Sequence, residues 1–315
     1  MKEKGENFYP KGRVLITGSG GMTGKALTDK LTDNNWEVVH LHRGKRAASH
    51  KNLSYSWDPD SGYIDSAAFS GVTHIIHLAG AGIGDKRWSK RRKGEIVSSR
   101  IDTATLIFDT AMKERAEVKC FISASATGYY GNDTGSRILT EDSPAGTDFL
   151  ALTCVRWEEA ADMFRKSGIR TVKIRTGIVI SDTGGFISRL MPLFKFRKAV
   201  WFGSGNQYFP WVHIDDLCNI YLRALDDNSI DGPFNAVAPK QVTQKEIIIT
   251  MAGIIGKPII KAGIPSFLVR FALGEMSSML LTGNRVAATA LEAAGFKWLY
   301  PSHETISLRS ASPEP

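Results

Sequence analysis

The segment Val14-Leu15-Ile16-Thr17-Gly18-Ser19-Gly20-Gly21-Met22-Thr23-Gly24 decides the fold. Val14 to Ile16 is a short, continuously apolar run, the pattern of a strand buried on both faces. Glycines then recur as G-x-x-G-x-x-G at Gly18, Gly21 and Gly24, and a helical stretch runs from about Thr23 to Thr32. Strand, glycine turn and helix in that order make a loop that holds a dinucleotide. Gly18 makes the sharp turn. Gly21, next to Gly20, lets backbone approach a pyrophosphate, and Gly24 lets the helix pack on the strand. Backbone N–H groups at the helix start, at Met22 and Thr23, then face the phosphates.

The second strand, Glu37-Val38-Val39-His40-Leu41, runs into His42-Arg43-Gly44-Lys45-Arg46. An NAD site usually carries Asp or Glu here for the ribose 2′-OH. This chain has cations and no acid. Arg43, beside His42, sits where a 2′-phosphate would lie, and a planar guanidinium suits it. The expected cofactor is NADP(H).

Further strand-like runs follow at Leu53 to Trp57, Thr73 to Leu78, Val118 to Ser123 and Thr171 to Ile174. Helical stretches from about Lys90 to Glu114 and Thr153 to Lys166 separate the later ones. That alternation predicts an α/β fold: a doubly wound, Rossmann-like parallel sheet with right-handed crossovers. After Ser181 the rhythm breaks into a loop-rich stretch, then sheet-like Trp211 to Ile214 and Pro233 to Ala236. Helices are expected over Gln244 to Ile255, Pro265 to Leu273 and Arg285 to Ala294. The reading assigns 12–180 with 211–238 to the sheet domain and 181–210 with 239–308 to a small, mostly helical substrate lobe. Residues 1–11 and 309–315 read as flexible termini.

The 315 residues are 43% hydrophobic and 23% charged, which excludes a disordered or fibrous chain. The longest apolar run, near Ile247 to Ile255, is too short for a membrane span. The polar N-terminal stretch lacks the apolar core of a signal peptide, so a cytoplasmic location is expected. Cys120, Cys154 and Cys218 form no metal-binding spacing and no disulfide framework, so no metal is expected. Much of the net charge of +8 lies in the basic run Lys86 to Lys93. The run reads as a solvated helix face or a phosphate-facing patch, and no nucleic-acid-binding motif surrounds it. The expected partner is a small-molecule substrate, with no nucleic acid and no membrane; a homodimer stays open.

These residues resemble the extended and atypical short-chain dehydrogenase/reductase superfamily. More narrowly, the chain is similar to the NAD(P)-dependent "epimerase family proteins", a group with its own C-terminal segment. The likeness rests on the glycine loop, Trp57-Asp58-Pro59, His77-Leu78-Ala79-Gly80, Asp85-Lys86-Arg87-Trp88 and Ser123-Ala124-Ser125-Ala126-Thr127-Gly128-Tyr129-Tyr130-Gly131. Arg156-Trp157-Glu158, Arg175-Thr176-Gly177-Ile178-Val179, Gly203 to Asp216 and Leu291 to Phe296 extend it over nearly the whole chain. It implies that Asp58 meets the adenine and that Leu78, Ala79 and Gly80 pass under the ribose and pyrophosphate. It also implies that Glu95 and Arg100 contact the cofactor, and that Ser123 to Ser125 and Val179 flank the nicotinamide.

Catalysis is where the sequence departs. The superfamily pairs a Ser or Thr with Tyr-x-x-x-Lys, the Tyr moving a proton and the Lys lowering its pKa. Ser125 fills the serine slot, but counting back from Glu158 puts Cys154 in the lysine slot and Leu150 in the tyrosine slot. Tyr129 and Tyr130 are the surrogate acids the sequence offers. His213 reads as structural or helix-capping. The arginine that clamps a nucleotide-sugar diphosphate in related epimerases is here Phe209. Lys86, Arg87, Lys195, Arg197 and Lys198 are the cations that could replace it. The sequence leaves two readings open: an NADP(H)-dependent oxidoreductase or epimerase-like enzyme, or a non-catalytic NADP(H)-responsive binding protein.

Overall fold

A computed structural model describes residues 10–44, 53–182, 184–255 and 260–306. The chain begins β1 (Arg13–Thr17), α1 (Met22–Asp33), β2 (Glu37–Arg43), β3 (Leu53–Asp58), β4 (Tyr63–Ile64) and β5 (His74–His77). It continues through α2 (Lys90–Lys113), β6 (Cys120–Ala126), a 3-10 turn (Thr127–Tyr130), β7 (Ile138–Leu139), α3 (Phe149–Lys166), β8 (Arg170–Thr176) and β9 (Ile178–Ser181). Next come α4 (Gly185–Lys195), β10 (Lys198–Phe202), β11 (Trp211–His213), α5 (Ile214–Asp226), β12 (Gly232–Ala236) and α6 (Gln244–Ile255). The rest is β13 (Ile260–Ile264), α7 (Ser266–Leu273), α8 (Ser278–Leu281), β14 (Arg285–Val286) and α9 (Thr289–Ala293).

Eight strands form one sheet in the order β12-β8-β6-β5-β1-β2-β3-β4. All neighbours are parallel except β3 and β4. The continuous apolar run of β1 is explained by its two covered faces. Val14 and Ile16 join one apolar cluster with Leu27 of α1 and Leu217 and Tyr221 of α5. Leu15 joins the opposite cluster with Ile107 of α2 and Phe164 of α3. All three strand residues are fully buried, and each such side chain contributes about 1.5–3 kcal/mol.

The chain leaves β1 towards β2 and later returns to β5 on the other side of β1. The topological switch point therefore lies at the carboxyl ends of β1 and β5, where open α/β sheets bind ligands. Thr17 fastens these ends together. Its Oγ1 accepts from the N–H groups of Leu78 and Ala79, both at 3.2 Å, and lies 2.8 Å from His77 Nδ1.

The structure adds β4, β7, α5 and β13 to the expected elements, and two further stretches differ from the sequence reading. The loop-rich region after Ser181 contains α4 and β10. Pro192 lies inside α4, yet burial of Ile187, Leu190 and Phe194 against Ile247, Ile248 and Met251 of α6 outweighs the break. The helix expected over Arg285 to Ala294 is instead the short strand β14 followed by α9. Its start is held extended because β14 pairs with β7 and Ala287 donates to Leu139 O. Val286, Ala288 and Leu291 consequently pack on the sheet cluster rather than on the lobe. Residues 1–9 and 309–315, expected to be flexible, lie outside the described residues, as do Lys45 and Arg46. Lys11 is described, and its Nζ pairs with Asp226 at 3.1 Å. Among the described residues no helix is long and apolar enough to cross a membrane.

Candidate functional site

The glycine turn closes over β5. Gly18 has φ +72°, a conformation that favours glycine, and a Cβ there would stand 2.9 Å from Ala79 N. At Gly24 a Cβ would stand 2.4 Å from Gly18 O and 2.7 Å from Ser19 Cα, so the first turn of α1 packs directly on the loop. Gly18 makes the sharp turn, while Gly24 brings the helix onto the loop rather than onto the strand. The open approach differs: a Cβ at Gly20 would meet nothing within 4 Å. Gly21 is the N-cap of α1, and its N–H is already taken by Gly18 O at 3.0 Å. Gly20 therefore has the most open space of these glycines.

Beside this turn is a cleft of about 750 Å3. Gly18, Ser19 and Gly20 line one part of it, His42, Arg43, Trp57, Pro59 and Asp60 another, and Ala79 to Ala81 a third. The opposite wall is one face of α2, carrying Arg92, Glu95, Ser98, Ser99, Asp102 and Thr103. Arg43 is exposed at the end of β2. His42 Nδ1 is 2.7 Å from Tyr55 O. Glu95 accepts from Arg92 and Arg91, at 3.1 Å and 3.0 Å, and these bonds, Arg92's first, hold its carboxyl below the usual range. Arg92 also donates to Gly82 O at 2.6 Å, while its Nε is buried with no partner among the described residues. The basic run is thus divided: Arg92 faces the cleft, and Lys93 pairs with Glu275 at 2.6 Å.

Several expected cofactor residues lie off the cleft lining. Asp58 turns its carboxylate into a local turn, accepting from Asp60 N at 3.2 Å and Ser61 Oγ at 2.8 Å. Leu78 packs against the sheet cluster, as does Val179, whose strand β9 pairs with β11. Ser123 is fully buried and donates to Ala124 O. Met22 and Thr23, in the first turn of α1, are also outside the lining, and a Cβ at Gly184 would stand 3.0 Å from the Met22 sulfur.

A second cavity, of about 300 Å3, lies beyond the carboxyl ends of β6 and β8. Arg100 of α2, Thr127 and Asn132, Leu150, Thr153, Cys154 and Trp157 of α3, and Tyr208 and Phe209 are among its walls, with Met279 and Asn284 on the far side. Leu150 and Cys154 do face it. Burial pushes the Cys154 thiol up to about 12, so it stays protonated near neutrality. The cations considered as replacements for a diphosphate clamp, Lys86, Arg87, Lys195, Arg197 and Lys198, line neither space.

The expected catalytic residues are held away from this cavity. Ser125 is 3% exposed, and its Oγ donates to Glu158 Oε1 at 2.7 Å. Glu158 also receives Arg175 Nε at 2.8 Å and Nη2 at 2.9 Å. Arg175 Nη1 donates to the Tyr130 hydroxyl at 3.0 Å, which donates to Asn235 Oδ1 at 2.6 Å. Burial raises the Tyr130 pKa to about 12. Tyr129 lies with its ring centroid 3.5 Å from the Arg175 guanidinium carbon. The expectation that Ser125, Tyr129 and Tyr130 reach the reacting site is thus replaced: buried Arg175 collects all three into a structural network. His213 caps α5, its Nδ1 accepting from Asp215 N at 3.2 Å.

Sequence reasoning missed Arg92, Ser99 and Thr103 in the cleft and Thr127, Trp157 and Tyr208 in the cavity. The first set had a readable signal, since 92, 95, 99, 102 and 103 form a polar stripe at helical spacing. The second had none, because its members come from separate elements. Among the described residues no cluster of His, Cys, Asp or Glu could hold a metal ion.

The parallel sheet, the glycine turn at its switch point and the cleft beside it define a Rossmann-like protein of the short-chain dehydrogenase/reductase type. The family model for the NAD dependent epimerase/dehydratase family matches residues 14–236, and the chain belongs to that family. A second model, a domain of unknown function (DUF1731), matches residues 264–306. An epimerase family protein of Mycobacterium leprae is 39% identical over 297 residues, covering 94% of both chains. The crystal structure of human epimerase family protein SDR39U1 (isoform2) with NADPH superposes with a TM-score of 0.81 at 29% identity, covering 93% of this chain and 97% of that one. UDP-glucose 4-epimerase of Thermotoga maritima, at 19% identity and a TM-score of 0.75 over 93% of this chain, shares the fold.

Proposed function

We propose that this chain binds NADP(H) and acts as an atypical short-chain dehydrogenase/reductase, an oxidoreductase or epimerase-like enzyme on a small molecule. The observation that carries the reading is the cleft itself. One wall is a glycine turn open at Gly20, Arg43 stands at the end of β2 where an NAD site has an acid, and the buried Arg92 Nε has no partner among the described residues. Gly18 to Gly20 would face the pyrophosphate and Arg43 the 2′-phosphate. When bound, the cofactor supplies or takes a hydride. The human relative's NADPH supports the choice of cofactor.

The usual Tyr and Lys are absent on this reading, since Leu150 and Cys154 stand at the cavity wall in their places. Leucine has no proton to exchange, and a buried neutral thiol offers no fixed charge. Thr127 and Tyr208 line the cavity, and their hydroxyls take over from Ser125 as proton donors on this reading. The same two substitutions favour a second reading, an NADP(H)-responsive protein without turnover.

Calorimetry with NADPH and NADH on the wild type and on Arg43→Glu tests the cofactor. NADPH is expected to bind more tightly, and the substitution to weaken it by about 1–3 kcal/mol, the worth of a charge-assisted hydrogen bond. Equal wild-type affinities for the two cofactors overturn the assignment. NADPH oxidation or epimer formation across carbonyl compounds and nucleotide sugars separates the readings: turnover lost in Thr127→Val or Tyr208→Phe makes the protein an enzyme, and firm binding with no turnover favours the responsive protein.

A further inference from the structure

Arg100 is the one charged side chain among the described residues that line the smaller cavity, and its guanidinium lies against the larger cleft. Its Nη1 donates to Ala81 O at 3.1 Å, Ile96 O at 2.9 Å and Ser99 Oγ at 3.5 Å. A Cβ at Gly80 would stand 3.0 Å from its guanidinium carbon. Gly80, Ala81 and Ser99 all line the cleft, and the family resemblance gives Arg100 to the cofactor. With Arg100 committed there, the cavity wall offers a ligand no charge of its own, since burial keeps the Cys154 thiol protonated.

The neutral polar groups of the wall divide in two. Thr153, Thr176 and Thr282 each donate to a nearby backbone carbonyl. Gln244 Nε2 donates to Leu280 O at 2.9 Å, and its Oε1 accepts from Phe202 N at 2.8 Å. Asn284 accepts from Thr134 N at 3.1 Å and donates to Gly131 O. Thr127, Asn132 and Tyr208 line the same cavity, and their side chains make no hydrogen bond among the described residues. None of their polar side-chain atoms is sealed from solvent.

What remains is apolar. Leu150, Trp157 and Met279 belong to the wall. So does Phe209, 3% exposed, at the position where related epimerases place a diphosphate-clamping arginine. At about 300 Å3 the space is at the lower limit for small-molecule pockets. A carboxylate or a diphosphate would enter it with no cation to meet, and burying a charge unpaired is costly. A single uncharged oxygen finds its hydrogen bonds among Thr127, Asn132 and Tyr208.

We infer that this cavity selects a compact, uncharged, largely apolar or aromatic molecule with a carbonyl or hydroxyl oxygen, held by Thr127, Asn132 and Tyr208, and that it rejects acids and nucleotide sugars. The inference rests on the reading that NADP(H) fills the larger cleft, and deepens it by giving the substrate its chemical class.

The test is calorimetry on the full chain saturated with NADP+, using acetophenone, methyl benzoylformate, benzoylformate and UDP-glucose. Wild type, Thr127→Val, Tyr208→Phe and Leu150→Arg are compared. The two neutral ketones are expected to bind wild type at least about tenfold more tightly than benzoylformate or UDP-glucose. Thr127→Val or Tyr208→Phe should cost the ketones about three- to tenfold, the worth of one neutral hydrogen bond. Leu150→Arg, which adds a cation to the wall, should bring benzoylformate level with its ester or ahead of it. Benzoylformate or UDP-glucose binding wild type as tightly as the ketones overturns the inference. So does no binding by either ketone, ketone affinity unchanged in both hydroxyl variants, or an ester-to-acid ratio that a folded Leu150→Arg leaves unmoved. Failure of the folded chain to bind NADP+ or NADPH overturns the cofactor reading and takes the inference with it, whereas firm NADP+ binding with benzoylformate ahead of its ester overturns the inference alone. If circular dichroism shows Leu150→Arg unfolded, the wild-type ratio and the hydroxyl variants decide.

Discussion

The larger cleft and the smaller cavity share one sheet edge but are built in different ways. The cleft is shaped by backbone: Gly18, Gly20 and Gly24 leave room where side chains would clash or intrude, and one helix face closes it. The cavity is shaped by side chains from several elements, resting on a buried ion pair between Glu158 and Arg175 whose side chains are 7% and 4% exposed. A site made of backbone can be spelled in a short run of residues. A site made of distant side chains depends on how the whole molecule packs.

The sharpest way to break this contrast is at the ion pair. Removing one partner of a buried pair typically costs about 3–5 kcal/mol, so Glu158→Ala should lower stability to urea by that order and free the Ser125 hydroxyl. NADPH affinity of the folded fraction should change little, because Glu158 does not line the cleft. A loss below about 1 kcal/mol shows that the cavity half does not rest on this pair.

A smaller effect separates the glycines. Gly24→Ala puts a Cβ 2.4 Å from the backbone oxygen of Gly18, and overpacking of this kind costs about 1–3 kcal/mol. Gly20→Ala meets nothing within 4 Å and should leave urea stability within about 0.5 kcal/mol of wild type. Thermal melts of the two variants side by side check this. Equal losses contradict the view that α1 presses on the loop at Gly24 and leaves it open at Gly20.

The smallest effect is a pH dependence in the fastening of β1 to β5. Burial pulls His77 down from 6.5 to about 4, so it stays neutral in the folded chain while the unfolded chain takes up a proton near 6.5. The stability tied to its neutral form is whole above that value and drains as pH falls towards 4. At pH 5.5 the loss is about 1 kcal/mol. His77→Gln removes this titration, so its stability should decline less steeply than wild type between pH 7 and 5. Parallel slopes for the two proteins contradict the assignment.

The glycine turn between β1 and α1 was legible because it works through its neighbours in sequence. The first turn of α1 must pack on Gly18, and only glycine at 24 permits it. The role of Ser125 was misread for the converse reason. Its place at the end of β6 is what the motif predicts, but its hydroxyl is claimed by Glu158, 33 residues further on. Likewise Tyr130 finds Asn235, 105 residues away, and becomes part of the core. The stretch Arg285 to Ala294 read as a continuous helix because its own residues favour one. Pairing with β7 and packing on the sheet redirected it.

The sequence by itself determined the doubly wound sheet, its glycine turn and the absence of an acid after the second strand. Each is set by local sterics or by a periodicity of two or 3.6 residues. Only the tertiary structure decided that α1 presses on the glycine loop at Gly24 and leaves it open at Gly20, and that Arg175 withdraws Ser125, Tyr129 and Tyr130. Those outcomes turn on competition for a limited number of buried hydrogen-bond partners, and that competition is settled among residues far apart in the chain.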